Sequence, residues 1–459
     1  MNEQGKTSRE NGLPELRQLV AGVDIGSREH WVAAPLKEDG AANVRRFSTT
    51  SDELKAMVDW LESQKVESVA MESTGVYWIA LYELLESRGI EAVLVNARDF
   101  HQAPGRPKTD KRDCQWLQRL HSCGMLRGSF RPSESFIPLR ALERQRSNLV
   151  ALRTRYIQWM QKSLDQMNVQ VHHAVSDLSG VTGMAIVRAI VAGERRPEAL
   201  AELRDPRCQK SAAQIAKHLT GTWREEHLFT LASALSMFDN NDVEIAKYEV
   251  EMARRMDALR LKELDTTTVP KHPKATKEKE MRKHGALETR ERLWRATGKD
   301  LTRIDGISVD AAKAIVSELG LGAEAFPDER HFVSWLRLCP PTKISGGKPL
   351  KTRRNGLSAN RISGVLRMAA RALARSKSAL GSSFRKVSRG KGFDVAIFAT
   401  ARKLAVLVYR TLRFGHEYVD IGEQAAEARY EENRLAALRN QAKARGFVLV
   451  PLTSASATG

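Results

Sequence analysis

The stretch QLVAGVDIGSREHWVAAPLKEDGAANVRRFSTT, residues 18 to 50, decides the fold class of the N-terminal region. It contains three short apolar runs, QLVAGVDIG, HWVAAPL and NVRRFSTT, the last two separated by the turn-like residues KEDGAA. Short apolar runs between turn residues are typical of β-strands that follow one another in a sheet. We therefore predict a meander of three strands.

The next fifty residues predict a helix, a strand, a second helix and a further strand. SDELKAMVDWLESQK has a cap signal at Ser51 and apolar residues at helical spacing. VESVAME indicates a buried strand that ends at Glu72, GVYWIALYELLESRG a helix closed by Gly89, and IEAVLVN another strand. Three strands, helix, strand, helix, strand is the order of a ribonuclease H-like sheet, so we predict an α/β fold of that type.

The remainder of the chain predicts mostly helices. Between Leu139 and Val171 apolar residues recur at threes and fours, interrupted by Arg146 and Ser163, which fits either a coiled-coil arm or the core of a bundle. Residues 262 to 300 are charged and poor in apolar side chains, which indicates a linker or an exposed insertion.

Residues 301 to 320, LTRIDGISVDAAKAIVSELG, predict a helix, a glycine-containing turn and a second helix. This pattern resembles a helix-hairpin-helix element, in which backbone amides bind a phosphate without reading bases. Many helical hairpins carry glycine in the turn, so the pattern alone does not establish the role. FDVAIFATARKLAVLVYRTL, from residue 393, predicts a final amphipathic helix.

These patterns predict six regions along the 459 residues. They are a disordered N-terminus (1–17), an α/β domain (18–132), a helical or coiled-coil region (133–261), the linker or insertion (262–300), a mostly helical C-terminal domain (301–420) and a tail (421–459).

The charge of the chain favours a polyanion as partner. Its 74 Lys and Arg residues exceed its 55 Asp and Glu residues, for a net charge of +19 and a pI near 9.9. Neutralising phosphates releases counterions, although ribosomal and membrane-surface proteins can be equally basic. The stretch from 343 to 361 has no acidic residue, and its basic side chains are candidate nucleic-acid contacts: Lys343, Lys348, Lys351, Arg353, Arg354 and Arg361.

Compartment signals point to the cytoplasm. The N-terminus is polar without a signal-peptide core, and no run of 18 apolar residues predicts a transmembrane helix. The four cysteines, without a CxxC pair, are expected to be free thiols in a reducing compartment.

Four carboxylates occupy positions that converge in a ribonuclease H-like sheet. Asp24 lies at the end of the first strand, and Glu72 ends the strand that we expect beside it. Asp110 and Asp113 lie near the start of the helix that follows the last strand. Packed together they would repel, and Mg²⁺ or Mn²⁺ would relieve that repulsion because hard cations prefer oxygen ligands. Two such ions can activate a nucleophile and stabilise a leaving oxygen at phosphorus. A simpler interpretation is that Asp110 caps the helix and Asp113 adds a first-turn charge.

Basic residues flank the last two of these acids. If the acids hold metal ions, the bases would hold a nucleic-acid backbone. They are Arg106, Lys108, Lys111 and Arg112.

Ser345 precedes two glycines in the basic stretch KISGGK. Ser and Gly favour turns, which is the simplest explanation. The glycines would also leave the hydroxyl accessible to a phosphodiester. A serine nucleophile needs activation; Lys343 and Lys348 are the nearest candidate bases in sequence, and a metal ion held by the carboxylates is another source.

The ordered set GVDIGS, MESTGVYW and LVNARDFHQAPGRPKTDKRD resembles the DEDD-type insertion-sequence transposases of the IS-one-ten family. VTGMAIVRAIVAGER, GTWREEHLF, IDGISVDAAKAIVSELG and ISGGKPLKTRRNGLSANRI are similar to later family blocks, so that the resemblance covers about 20 to 415. It implies a RuvC-like nuclease domain followed by a transposase domain. The metal-binding tetrad would then be Asp24, Glu72, Asp110 and Asp113.

The resemblance also implies the chemistry and the partners. Ser345 would attack DNA covalently, in an active site that combines it with the tetrad of another subunit. The family often has a second serine beside this one, whereas KISGGK has only Ser345. Expected partners are DNA, a structured non-coding bridge RNA that pairs with target and donor DNA, and further copies of the chain, as a dimer and as a tetramer in the synaptic complex. The expected setting is the nucleoid of a prokaryotic cell.

Two other functions remain open from the residues alone. A structure-selective nuclease, such as a Holliday-junction resolvase, would hydrolyse DNA with water and need the tetrad but not Ser345. A non-catalytic nucleic-acid-binding scaffold would need neither.

Overall fold

The computed structural model describes residues 14–37, 40–73, 75–96, 109–259, 269–339, 343–345, 348–350 and 360–450, of which 343–345 and 348–350 are described by their backbone alone. The chain divides into two compact units, 1–131 and 132–459. No described helix is long and apolar enough to cross a membrane.

The described part of the first unit contains a five-stranded sheet in the order β3-β2-β1-β4-β5. Its strands are β1 (Val20–Ile25), β2 (Glu29–Ala33), β3 (Val44–Ser48), β4 (Ser68–Glu72) and β5 (Glu91–Val95). The first three strands pair antiparallel, whereas β4 pairs parallel with both β1 and β5. All five lie where the apolar runs predicted them, and the order is compatible with the expected ribonuclease H-like fold.

Helices cover both faces of this sheet. They are α1 (Ser51–Ser63), α2 (Ile79–Ser87) and α3 (Asp110–Ser122). The apolar sides of α1 and α2 share one core with Val23 and Met71. On the other face, Ala70 and Val95 pack against Leu117 of α3. Alternate residues of a strand point to opposite faces, so each strand contributes to both cores.

Two predicted helix starts in this unit are wrong in detail. The N-cap of α1 is Thr50, without a side-chain cap hydrogen bond, and Ser51 is the first helical residue. The second helix begins at Ile79, after a turn, and not at Gly75, whose φ of +57° favours glycine.

The second unit is mostly helical in its described residues. Its α-helices are α4 (Ile137–Gln166), α5 (Val171–Ala174), α6 (Val181–Val191), α7 (Pro197–Glu202), α8 (Ala212–Ala216), α9 (Glu225–Ala258), α10 (Ala275–Lys283), α11 (Ala286–Thr297), α12 (Val309–Leu319), α13 (Glu329–Trp335), α14 (Arg361–Ala372), α15 (Ala379–Lys391), α16 (Phe393–Phe414) and α17 (Gly422–Ala444). Two short strands, β6 (Lys343–Ser345) and β7 (Lys348–Leu350), form a hairpin.

The long periodic segment predicted from Leu139 onward is α4, and it pairs with α9 of the same chain. Arg146 binds Glu249 and Arg153 binds Asp242, so the two helices run antiparallel. Toward its C-terminal end α4 enters an apolar core shared with α6 and α9. Arg146 interrupts the apolar pattern because it makes this interhelical ion pair. An antiparallel pair of long helices fits both predictions for this segment, a coiled-coil arm and the core of a bundle.

Residues 269–300 are the described part of the predicted linker or insertion at 262–300, and they are helical in α10, which has no buried residue, and in α11, which has four. Arg290 is buried, and its guanidinium donates to Asp300 at 2.7 Å and to the Pro270 carbonyl at 2.6 Å. His272 is also buried, with Nε2 3.2 Å from the Thr302 carbonyl oxygen. Ion pairs that are formed within the fold therefore allow this polar sequence to pack.

The predicted hairpin of two helices at 301–320 is wrong for its first arm. Residues Leu301–Arg303 form a single 3-10 turn, and α12 is the second arm. Gly306 has a φ of +91°, and a Cβ there would lie 2.9 Å from the Leu373 side chain. Positive φ and close packing explain this glycine, and a phosphate-binding role for the turn stays a prediction.

Candidate active site

Asp24 and Glu72 lie at the same level of two neighbouring parallel strands. Val23 of β1 and Met71 of β4 are register partners, and the two acids are the next residue along each strand. Adjacent strands are about 4.8 Å apart. Both acids alternate with residues of the α1–α2 core, so they belong to the face that α3 covers.

Helix α3 lies directly on β1 because Gly22 has no side chain. A Cβ at Gly22 would lie 2.3 Å from the Gln118 backbone nitrogen and 2.5 Å from the Cys114 carbonyl oxygen. Ser68, at the start of β4, bonds His121 near the C-terminal end of α3 at 2.8 Å. The helix therefore runs opposite to β1 and β4, and its first turn lies toward the strand ends that carry Asp24 and Glu72.

The first turn of α3 carries Asp110 and Asp113. Its N-cap is Thr109, whose hydroxyl accepts the Arg112 backbone N–H at 3.4 Å, so Asp110 is not the cap. Asp110 is exposed and Asp113 is half-buried. Both side chains lie at the N-terminal end of the helix, the positive end of its dipole.

Cys114 shows that acids from the strand and the helix approach each other. Burial, together with the negative charges of Asp24 and Asp113, raises the pKa of its thiol to about 12. Both carboxylates therefore lie near one buried thiol between β1 and α3. A thiol with this pKa is protonated at neutral pH and is a poor nucleophile.

The described side chains do not form a closed metal site. Within the parts of the chain that the structure describes, no group of three or more His, Cys, Asp or Glu side chains could hold a metal ion. A metal site formed by Asp24, Glu72, Asp110 and Asp113, whose oxygen donors would suit Mg²⁺ or Mn²⁺, stays a prediction.

Two of the flanking bases, Lys111 and Arg112, are exposed on the first turn of α3. The other two, Arg106 and Lys108, lie outside the described residues.

Ser345 is the last residue of β6, and its register partner is Lys348 of β7. The two glycines that follow Ser345 lie outside the described residues, and the predicted turn stays a prediction. Three of the other basic candidates, Lys351, Arg353 and Arg354, lie outside the described residues.

Arg361, the first residue of α14, belongs to an arginine cluster that the sequence did not indicate. Arg140 and Arg144 of α4 donate to the Glu318 carboxylate at 2.8 and 2.7 Å, and Arg361 Nε lies 3.9 Å from it. Glu318 is buried, and the arginines hold its pKa below the usual range despite that burial. Three guanidinium groups therefore gather around one buried carboxylate.

The signal that could have found this cluster is helical spacing. Arg140 and Arg144 are four residues apart and therefore lie on one face of α4. An acid-free stretch of sequence indicates a basic surface, and Glu143 between these two arginines breaks that pattern.

A carboxylate edge on a mixed sheet, together with a basic helical unit, is the arrangement expected of a DNA-processing enzyme. A family model described as Transposase, of the IS110 DEDD type, matches residues 21–169, and a model described as Transposase IS116/IS110/IS902 family matches residues 298–385. Together they cover more than half of the chain. The chain belongs to the IS110 (IS-one-ten) family of transposases. No curated protein matches it significantly.

Proposed function

We propose that this DNA transposase cuts and rejoins DNA with a carboxylate tetrad and a serine nucleophile. The tetrad is Asp24, Glu72, Asp110 and Asp113, and the nucleophile is Ser345. The observation that carries the first part is the placement of Asp24 and Glu72 on neighbouring strands beneath α3, whose first turn carries the other two acids.

The tetrad would hold Mg²⁺ or Mn²⁺. When bound, the cation supplies positive charge to the phosphate oxygens and lowers the pKa of a hydroxyl beside it. The acids are spread along one edge in the described structure, so we expect binding to draw their side chains together. Lys111 and Arg112, with Arg106 and Lys108, would contact the nucleic-acid backbone beside this edge.

Mn²⁺ binding to the full-length protein tests the tetrad independently of catalysis. Free Mn²⁺ is measured by electron paramagnetic resonance during titration of the wild type and of Asp24→Asn. We expect at least about tenfold weaker binding in the variant, since a metal site loses one of its anionic ligands. The control is Asp52→Asn, whose carboxylate is 98% exposed in the same unit. Equal binding by all three proteins would contradict the metal site.

The serine step conserves the energy of the phosphodiester. The Ser345 Oγ forms a bond to phosphorus, the bond from phosphorus to the leaving sugar oxygen breaks, and the hydroxyl proton passes to a base while the leaving oxygen gains one. A sugar hydroxyl of a new strand then attacks the phosphoserine and releases the serine. This exchange of one ester for another needs no external energy source.

Ser345→Ala separates this chemistry from hydrolysis. Labelled DNA is incubated with protein, RNA transcribed from the flanking non-coding region and Mg²⁺, and then resolved by denaturing electrophoresis. The wild type should give a protein–DNA adduct and joined product, and the variant neither. A metal-dependent nuclease of the Holliday-junction-resolvase kind would cut equally well without the serine. An adduct that persists in the variant would assign the nucleophile to another hydroxyl.

Nucleic-acid binding is proposed to rest on phosphate contacts around β6, β7 and α14. The proposed contacts are Lys343, Lys348, Lys351, Arg353, Arg354 and Arg361. Contacts to the backbone carry no sequence information, so base pairing by a bridge RNA would supply specificity. The net charge of +19 supports a polyanion as partner, and the family resemblance supports the RNA. A structured non-coding segment beside the gene, required for strand exchange, is the observation that tests it.

A further inference from the structure

Helix α17 is a long helix that packs through its first turns only. It contains 23 residues, and none of them is buried. Near its middle, Lys386 of α15 lies 4.0 Å from the centroid of the Tyr430 ring. From residue 431 to residue 450, every side chain except that of Ala442 is exposed. An unpacked helix is marginal in water, so this length of exposed helix indicates a missing partner.

The helix is followed by an exposed apolar segment. Phe447, Val448, Leu449 and Val450 are consecutive, and Val448 is 86% exposed. Consecutive exposed apolar side chains of this kind are typical of surfaces that become buried in a complex.

A groove of suitable character lies at the opposite end of the same helix. Its volume is about 880 Å³, within the range of pockets that enclose organic groups. Its walls come from α15, α16, Leu338, the residues just before α17 and Arg429 of α17, and its basic lining residues are Lys391, Arg402, Lys403 and Arg429. The apolar residues that line it include Val395, Phe398, Val406, Leu407, Val419 and Ile421. Val419 is 74% exposed, so the apolar wall is open to a partner.

The apolar segment 447–450 lies too far from the groove of its own copy to occupy it. The groove adjoins the N-terminal end of α17 and the apolar segment follows its C-terminal end. A helix of 23 residues is about 34 Å long, so the segment begins far from its own groove. Two α17 helices side by side and antiparallel would place each segment at the groove of the other copy. This arrangement has two-fold symmetry and fills both grooves at once.

The charges along α17 match this antiparallel pairing. Residues 422–432 carry four acids and one base, whereas residues 433–445 carry only bases. The acids are Glu423, Glu427, Glu431 and Glu432, and the later bases are Arg434, Arg439, Lys443 and Arg445. Antiparallel helices align the acidic half of one copy with the basic half of the other, whereas parallel helices would align like charges.

We propose that two copies of this chain pair through antiparallel α17 helices and that residues 447–450 of each copy occupy the α15–α16 groove of the other. This pairing does not depend on the proposed cutting chemistry. It assigns the groove an occupant of defined sequence, the apolar segment Phe447-Val448-Leu449-Val450 of the second copy.

Cysteine cross-linking between two full-length copies tests the contact. One copy carries Val395→Cys in the groove, and a second copy, enlarged by a tag, carries Val448→Cys. After mixing and mild oxidation, non-reducing electrophoresis should show the mixed disulfide dimer. The control pair replaces Val395→Cys with Val250→Cys, because Val250 is 72% exposed on α9 and outside the groove. We expect at least about tenfold more mixed dimer than in the control, since docking raises the local thiol concentration.

A second variant tests the apolar character of the contact. Adding Leu449→Lys to the Val448→Cys copy should lower the mixed dimer about tenfold, because the ammonium group would be buried beside apolar side chains and beside Lys391, Arg402 and Lys403 of the groove. Mixed dimer no greater than in the control pair would overturn the proposal. When one copy carries both cysteines, an internal disulfide formed by the monomer would also overturn it, because the groove would then hold its own segment.

Discussion

The acidic edge of the first unit and the basic region of the second differ in what holds their side chains in place. The acidic edge comprises Asp24, Glu72, Asp110 and Asp113, and the basic region comprises β6, β7 and the arginines around Glu318. Asp24 lies within a strand between Val23 and Ile25, both buried, and Glu72 ends the strand beside it. Ser345 lies at the end of a strand of three residues. A central sheet covered on both faces holds the backbone of Asp24 and Glu72 in fixed positions.

In the basic region, side chains of opposite charge hold one another in place, whereas at the acidic edge the backbone of a sheet does so. Three arginines converge on Glu318, and the buried carboxylate holds them together. A buried charge is stable only with such partners, so Glu318 and the arginines stabilise one another. The two regions thus show two ways of positioning charged side chains, one by the backbone of a sheet and one by a counter-ion.

Removing one acid from the edge should have the largest effect. We expect Asp113→Asn to reduce strand exchange at least about a thousandfold, because charge stabilisation at the phosphate depends on the cation that this group would hold. DNA binding, measured by electrophoretic mobility shift, should change little. Asp59→Asn is the control, because Asp59 is exposed and paired with Arg88 in the same unit. Full activity of Asp113→Asn would remove it from the tetrad.

Mixing two inactive variants tests whether the two regions act together across subunits. Copies with Asp24→Asn lack one acid of the proposed tetrad, and copies with Ser345→Ala lack the proposed nucleophile. If each site combines the edge of one copy with the serine of another, an equal mixture should recover about a quarter of the strand exchange, from the one complete site in each mixed dimer. No recovery after co-refolding would place both groups in one subunit.

Adding a methyl group at Gly22 tests the frame of the acidic edge. Gly22→Ala would place a Cβ 2.3 Å from the backbone of α3, and we expect a loss of about 1–3 kcal/mol in the free energy of unfolding. Urea denaturation followed by circular dichroism measures it. Gly128→Ala is the control, because the nearest atom to its Cβ would be 3.6 Å away. Equal stability of the two variants would show that α3 does not lie on β1 at this position.

Neutralising two members of the arginine cluster should have the smallest effect. Arg140→Gln with Arg144→Gln should reduce the slope of log affinity against log salt by at most about 2 units, near 0.9 for each phosphate that the protein no longer neutralises. The matched control is Arg188→Gln with Arg207→Gln, because each of those arginines is paired with its own carboxylate. An unchanged salt slope together with a lower melting temperature would show that the arginine cluster stabilises the fold and does not bind phosphates.

The sequence by itself determined the sheet of the first unit and the order of its strands and helices. Apolar periodicity is a local signal, and in this unit it agrees with the final packing. The same signal placed Asp24 and Glu72 on strands and the other two acids at the start of a helix. It misplaced the starts of two helices, at Ser51 and Gly75, because boundaries depend on single residues.

Only the tertiary structure decided which surfaces meet. The apolar stripe of α4 could have faced another copy, and ion pairs with α9 show that it meets a helix of the same chain. The segment 262–300 was predicted to be a linker or an exposed insertion, and in its described part Arg290 is buried and bonded to Asp300. Arg140 and Arg144 gather around Glu318 from far along the chain. Burial of charge depends on a partner distant in sequence, and no local pattern contains that partner.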